Sequence, residues 1–249
     1  MRLDVYLTEK KLCRSRTAAQ ELIKSGGVCI GGKICRKPSA EVSGGEKISV
    51  VGEQPRYVGR GGLKLEGALN AFGIRLDGKI CLDIGASTGG FTDCMLRHGA
   101  AAVYAVDVGR GQLSPLLRDD SRVISFEQTD VRSFSFEEGM AADFIGTDVS
   151  FISLKLILPH IMRLLKSGGE AVALIKPQFE VGQSLCADRS ALSKNGIVRS
   201  ESVRRKIVGE ITEYALQCGF SVTGTADSPI TGGDGNVEYL IALRKKEDA

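Results

Sequence analysis

Cys81-Leu82-Asp83-Ile84-Gly85-Ala86-Ser87-Thr88-Gly89-Gly90-Phe91-Thr92-Asp93 is the stretch on which the fold of this chain turns. The apolar run over residues 79–84 reads as a strand that enters a glycine-rich turn and then a helix over 91–98. Glycine has no Cβ, so the backbone of such a unit can approach a ligand closely. The spacing Gly85-x-x-x-Gly89-Gly90 departs from the G-x-G-x-x-G pattern of dinucleotide sites. Asp83, at the end of the strand, is a carboxylate and suits a cationic or hydroxyl-rich ligand better than a pyrophosphate. Together these features point to an adenosine-type cofactor with positive charge, S-adenosylmethionine, held by Asp83, Gly85, Ala86, Ser87, Thr88, Gly89, Gly90 and Phe91. Taken alone, the turn fits any α/β domain.

The surrounding sequence supplies the context. Strand-like runs fall at 80–84, 102–106, 123–127, 144–147, 170–175, 220–224 and 238–243, with helical runs at 91–98, 112–117, 151–165 and 201–218. This alternation predicts an α/β, doubly wound, mainly parallel sheet of seven strands with its ligand at the strands' carboxyl ends. Carboxylates recur at those ends. Asp107, about twenty residues after the turn, is positioned for ribose hydroxyls; Asp130 follows the third strand, toward the adenine; Asp148 closes the fourth, toward the reactive methyl. One such residue is commonly a helix cap, but four in succession share a ligand. Lys176-Pro177 ends a buried strand, and Glu238 starts the last one. If that strand is antiparallel, Glu238 lies level with the other strands' ends. A helix over 64–72 begins with Lys64, which by itself reads better as a surface charge.

The front of the chain differs in charge. Residues 1–60 hold twelve Lys or Arg against six Asp or Glu, whereas the whole chain has a net charge of only +3. The segment reads as two helices, a hairpin around Gly31-Gly32 and one more strand, with Ser15 as an N-cap. Arg2, Lys10, Lys11, Arg14, Arg16, Lys33, Arg36 and Lys37 cluster on it, which suits a polyanion such as RNA. The letters Arg2-Leu3-Asp4, Leu7, Ser15-Arg16, Ala19, Leu22-Ile23, Gly26, Val28 and Gly32 resemble the small RNA-binding domain named after ribosomal protein S-four. A patternless stretch with Pro55 follows, so the expected division is an RNA-binding domain over 1–53, a linker over 54–62 and a second domain over 63–249.

The second domain resembles the FtsJ-type ribose 2′-O-methyltransferases in its Asp83-to-Phe91 turn and in Lys64, Asp148, Lys176 and Glu238, which match that family's Lys-Asp-Lys-Glu tetrad. With the basic module in front, the whole chain resembles the TlyA, or haemolysin A, family. FtsJ itself has Ala-Ala-Pro-Gly-Gly where this chain has Ala86-Ser87-Thr88-Gly89-Gly90, and it lacks the front module. The resemblance implies a class I, Rossmann-like fold and S-adenosylmethionine as cofactor. It also implies 2′-O-methylation of cytidine in 16S or 23S ribosomal RNA. Lys176 would orient the hydroxyl and stabilise its charge, Asp148 and Glu238 would hold that lysine, and Lys64 would complete the tetrad.

Other readings are weaker. Seven cysteines without a C-x-x-C pair read as buried small residues of a reducing cytoplasm, and two histidines, His98 and His160, make no metal site. Charges near Met1 argue against a signal peptide, and no apolar run is long enough to span a membrane. A membrane-active haemolysin and an inactive RNA-binding assembly factor remain the alternatives. The long polar stretch over 177–199, with Arg189, Lys194 and Asn195, is expected to be a loop that helps hold RNA.

Overall fold

The computed structural model describes residues 1–13, 15–51, 56–182, 184 and 189–247. Arg14, Cys186 and the expected domain boundary within 52–55 lie outside the described residues.

The front segment builds its own small core. Helices α1 (Leu3–Glu9) and α2 (Arg16–Ser25) precede strands β1 (Val28–Ile30), β2 (Lys33–Ile34) and β3 (Ile48–Val50). Ser15 caps α2 by accepting the Ala18 N–H, and Gly26 ends the helix in the left-handed region. Gly31 and Gly32 both take positive φ, which lets β1 reverse tightly into β2. The sheet is antiparallel in the order β2-β1-β3. Leu3, Leu7, Leu22, Ile23, Val28 and Val42 fill the space beneath it. Beside them Asp4 has no solvent access, lying under a thin cover of Arg2, Arg16 and Gln20, all of which donate to its carboxylate. Arg2 above all holds that carboxyl well below its usual pKa.

The stretch expected as a linker divides. Tyr57 and Val58 are buried against the larger sheet, the Val58 N–H donates to Asp93 Oδ2 at 2.9 Å, and α3 (Gly61–Phe72) begins at its first glycine. Beyond α3 come β4 (Ile80–Ile84), α4 (Gly90–Arg97), β5 (Ala102–Val106), α5 (Pro115–Arg118), β6 (Val123–Phe126) and β7 (Ala142–Thr147). Then follow α6 (Leu158–Leu164), β8 (Leu165–Ile175), α7 (Pro177–Glu180), α8 (Glu201–Gln217), β9 (Phe220–Asp227) and β10 (Tyr239–Lys245). The seven strands take the order β6-β5-β4-β7-β8-β10-β9, parallel except for β10, which runs antiparallel to both its neighbours. The order turns at β4, whose neighbours are β5 on one side and β7 on the other, and such a switch point opens a crevice at the strands' carboxyl ends. Side chains alternate between the faces. Leu82, Ile145, Ala173 and Ile241 meet Ile161 and Ile211 from α6 and α8. Cys81, Phe144, Val172 and Leu240 meet Leu65 and Met95 from α3 and α4.

Two expected helices are shorter than their apolar runs, and proline explains both. The helix expected over 151–165 is a 3₁₀ turn, Leu154–Leu156, followed by α6, because Pro159 lacks an N–H and is tolerated only in a first turn. Pro115 likewise starts α5 three residues later than 112. Of the described cysteines, Cys13, Cys29, Cys81 and Cys94 are buried, whereas Cys35 and Cys218 are partly exposed.

Because Asp4 is charged and paired in the fold, its contribution to stability is present above its unfolded pKa and is lost as the pH falls. Asp4→Asn weakens charge-assisted bonds worth roughly 1.5–3 kcal/mol. Amide exchange in α1 and α2 should therefore speed up at neutral pH, while that in β4 and β8 stays unchanged.

Candidate active site

The turn after β4 touches the segment after β7. Gly85 has a φ of +82°, and a Cβ there would lie 2.9 Å from the Asp148 carbonyl oxygen, so only glycine fits. Asp83 stands under this turn. Its Oδ2 accepts the Thr92 N–H at 2.9 Å and the Thr92 hydroxyl at 2.6 Å, setting a carboxylate on the first turn of α4, where the helix dipole favours it. The side chain has no solvent access, and burial pushes its carboxyl up to about 7. Asp83 thus braces the first turn of α4 through Oδ2, while its buried Oδ1 has no hydrogen-bond partner among the described residues. Gly89, the N-cap of α4, also sits behind the turn against Leu113 and Leu117.

Two cavities meet at the switch point. The larger, about 380 Å³, is walled by Ile84, Val106, Val131 and Ile157 and carries Asp107, Thr129 and Asp130 on its rim. The smaller, about 190 Å³, is bounded by Gly61, Ala86, Thr88, Gly90, Phe91 and Lys176. Gly85, Ser87, Asp148 and Ser150 line both. Asp107 accepts the Ser87 N–H at 2.7 Å and the Gly109 N–H at 2.6 Å, so it tethers the glycine turn. Asp130 is paired with Arg132 at 2.6 Å.

At the shared border the four residues of the tetrad form a chain of charges. Glu238 Oε2 accepts from Lys64 Nζ at 2.6 Å, Lys64 Nζ lies 3.5 Å from Asp148 Oδ2, and Lys176 Nζ lies 2.6 Å from Asp148 Oδ1. The last contact is an ion pair whose angle falls short of a hydrogen bond. Lys176 also donates to Ser150 Oγ at 2.9 Å. Lys64, Lys176 and Glu238 are 8%, 7% and 3% exposed, and buried charges persist only when paired. One expectation is corrected. Glu238 holds Lys64 and not Lys176, because α3 brings Lys64 between Glu238 and Asp148. The tetrad consequently has two layers: Asp148 and Lys176 face the cavity, with Lys64 and Glu238 behind.

Three neighbours carried no sequence signal that singled them out. Ser150 touches Lys176. Phe151 is 90% exposed, has φ +64° and lies 4.9 Å, centroid to centroid, from Phe179. Glu180 is buried, accepts the Ser153 hydroxyl at 2.5 Å and the Leu154 N–H at 2.7 Å, and so ties α7 to the segment after β7.

Residues 57–245 match the FtsJ-like methyltransferase family, and residues 1–48 match the S4 domain. The chain belongs to the FtsJ-like methyltransferase family. Among relatives, the 16S/23S rRNA (cytidine-2′-O)-methyltransferase TlyA of Mycobacterium tuberculosis is 41% identical over 249 residues, 99% of this chain and 91% of its own length. Hemolysin A of Brachyspira hyodysenteriae is 43% identical over 96% of this chain and 98% of its own. A solved structure from Streptococcus thermophilus, provisionally named a hemolysin, is 45% identical, covers 100% of this chain and 89% of its own, and superposes with a TM-score of 0.77.

As an FtsJ-like methyltransferase the protein takes S-adenosylmethionine, and the larger cavity fits it. The volume and apolar walls suit a nucleoside, and the carboxylates of Asp107, Asp130 and Asp148 suit hydroxyls and a positive charge. The S4 domain carries the basic set. Lys10, Lys11, Lys33 and Lys37 are exposed and unpaired among the described residues, Arg2 and Arg16 share Asp4, and Arg36 donates to the Lys24 carbonyl. Among the described residues no helix is long and apolar enough to cross a membrane.

Asp83 makes a prediction about pH. A carboxyl with a raised folded pKa favours the fold below its unfolded value, and that contribution is lost as the pH rises through about 7. Asp83→Asn should therefore gain stability relative to the parent between pH 5 and pH 7.5, by roughly 1–3 kcal/mol at about 1.4 kcal/mol per unit. Urea melts at the two pH values measure the difference.

Proposed function

We propose that this chain transfers a methyl group from S-adenosylmethionine to the ribose 2′-hydroxyl of cytidine in ribosomal RNA, in 16S, 23S or both. The observation that carries the reading is the Asp148-bridged pair of lysines at the border of two cavities, one fit for a nucleoside donor and one open to a substrate. The bound donor supplies an electrophilic methyl: the 2′ oxygen gains that carbon as the carbon–sulfur pair returns to sulfur, and the hydroxyl proton leaves to water.

The chain's own residues make this step feasible. A ribose hydroxyl is a weak acid, so its oxygen must be aligned and its developing negative charge met by a preorganised donor. Lys176 is that donor, held by Asp148. Lys64, held by Glu238, keeps Asp148 in place, so the lysine facing the substrate stays aimed at one point. Donation by Lys176 to Ser150, with a carboxylate beside it, favours an electrostatic and orienting role for this lysine over a basic one. Gly85, Ser87, Asp107 and Asp130 would surround the donor's nucleoside in the larger cavity, and Ala86, Thr88, Gly90 and Phe91 would hold its amino-acid end where the two cavities meet.

The basic module, residues 1–53, would deliver RNA through phosphate contacts and shape, since the A-form major groove is too narrow for side chains. Arg2, Lys10, Lys11, Arg14, Arg16, Lys33, Arg36 and Lys37 are its proposed contacts. Residues 63–249 would be the methylating module, with the hairpin of Leu192 and Val198 as a further RNA contact; Asn236 pins that hairpin through Gly196 and Val198. A ribosomal RNA substrate supports a cytoplasmic location for the protein.

The test is methyl transfer from labelled S-adenosylmethionine to ribosomal RNA. Lys176→Ala should bind donor and RNA as the parent does and lose transfer by about 10²-fold or more. Unchanged turnover contradicts the assignment.

A further inference from the structure

The charge chain does not end at Lys176. Its nitrogen donates to Ser150 Oγ at 2.9 Å, and Ser150 is the member of the series that is exposed, whereas Lys64, Lys176 and Glu238 are nearly buried. Ser150 also lines both cavities, a position it shares with Asp148 but not with Lys64 or Glu238. A substrate hydroxyl entering the smaller cavity therefore meets the serine together with the lysine.

The polarity of that hydrogen bond decides what the serine can do. An ammonium has three donors and no acceptor, so in its bond to Lys176 the serine oxygen can only accept. The serine's own proton must then point elsewhere. Among the described residues Ser150 Oγ has no other hydrogen-bond partner. Ser150 is exposed and lines both cavities, so that proton is free to face them and the solvent that fills them. Accepting from a charged donor also polarises the serine O–H, because hydrogen bonds in a chain strengthen one another. Asp148 beside it cannot serve as a donor, being an ionised acceptor between two lysines.

We propose that the Ser150 hydroxyl, polarised by Lys176, donates a hydrogen bond to the substrate 2′ oxygen as that oxygen loses its proton to water, making Ser150 a catalytic residue beside the tetrad. The inference rests on the ribose-methylation reading above. Lys176 alone offers a single point of charge, which does not fix direction. A lysine and a serine at two points along the border fix the oxygen's approach, and such alignment of the reacting atoms is what an in-line transfer needs.

The test uses the full chain with ribosomal RNA and labelled S-adenosylmethionine in single turnover, followed by nuclease digestion and identification of the methylated nucleoside. Ser150→Ala should lower the single-turnover rate by roughly 100-fold, the lower end of the effect of a lost oxyanion donor. Its melting temperature and its calorimetric affinity for S-adenosylhomocysteine should match the parent's. Ser150→Thr, which keeps the hydroxyl, should recover most of the rate. An alanine variant as fast as a parent that makes 2′-O-methyl nucleoside overturns the role of Ser150 alone. Weakened S-adenosylhomocysteine binding also overturns it, by making the serine a cofactor ligand. A parent that methylates a base instead of ribose overturns the underlying function.

Discussion

Asp148 holds two ammonium groups at once, with Lys176 at 2.6 Å on one carboxylate oxygen and Lys64 at 3.5 Å on the other. Two lysines side by side would repel, and each would carry the cost of leaving water. One carboxylate between them, with Glu238 beyond Lys64, balances two positive charges with two negative ones. Breaking a buried pair by removing one partner typically costs about 3–5 kcal/mol, because the other charge stays buried. The group is thus rigid where it must be rigid. The nitrogen that faces the cavity cannot swing toward solvent without abandoning Asp148.

The fold brings these four residues together from distant parts of the sequence. Asp148 and Lys176 follow the parallel neighbours β7 and β8, so both stand at the carboxyl edge. Lys64 comes from the first turn of α3, which can lie this close to α4 only because Gly90 carries no side chain: a Cβ on Gly90 would sit 2.9 Å from the Gly62 nitrogen. Glu238 arrives from the opposite direction. Because β10 is antiparallel and Tyr239 pairs with Ile175, the residue before β10 is level with the residue after β8. A parallel last strand would put Glu238 at the far edge of the sheet.

Much of this was legible in the sequence because it depends on local patterns. Strands 80–84 and 102–106 are bounded as their apolar runs predict, and the Gly31-Gly32 hairpin follows from turn chemistry. The four tetrad residues could be named because each ends or begins a recognisable element. Their pairing could not, since whether Glu238 meets Lys176 or Lys64 depends on how α3 packs across the sheet. Asp83 looked like a ligand for the same reason that Asp107 did, its position at a strand end; that one of its two oxygens is held by Thr92 shows only in the packing of α4 against the turn. Ser150 and Glu180 have no periodicity or spacing to mark them. Their importance lies in contacts between two loops. The expected helix over 151–165 failed where local apolar pattern and proline chemistry disagreed, and proline prevailed.

In this chain a basic S4 domain precedes a methyltransferase centre built around one shared carboxylate, and the function of the pair turns on which molecule is modified. The most direct measurement is a map of ribose methylation across 16S and 23S ribosomal RNA from cells with and without the gene. The account predicts that one or a few 2′-O-methylcytidines disappear when the gene is removed and return when it is restored. Identical maps from the two strains would contradict it.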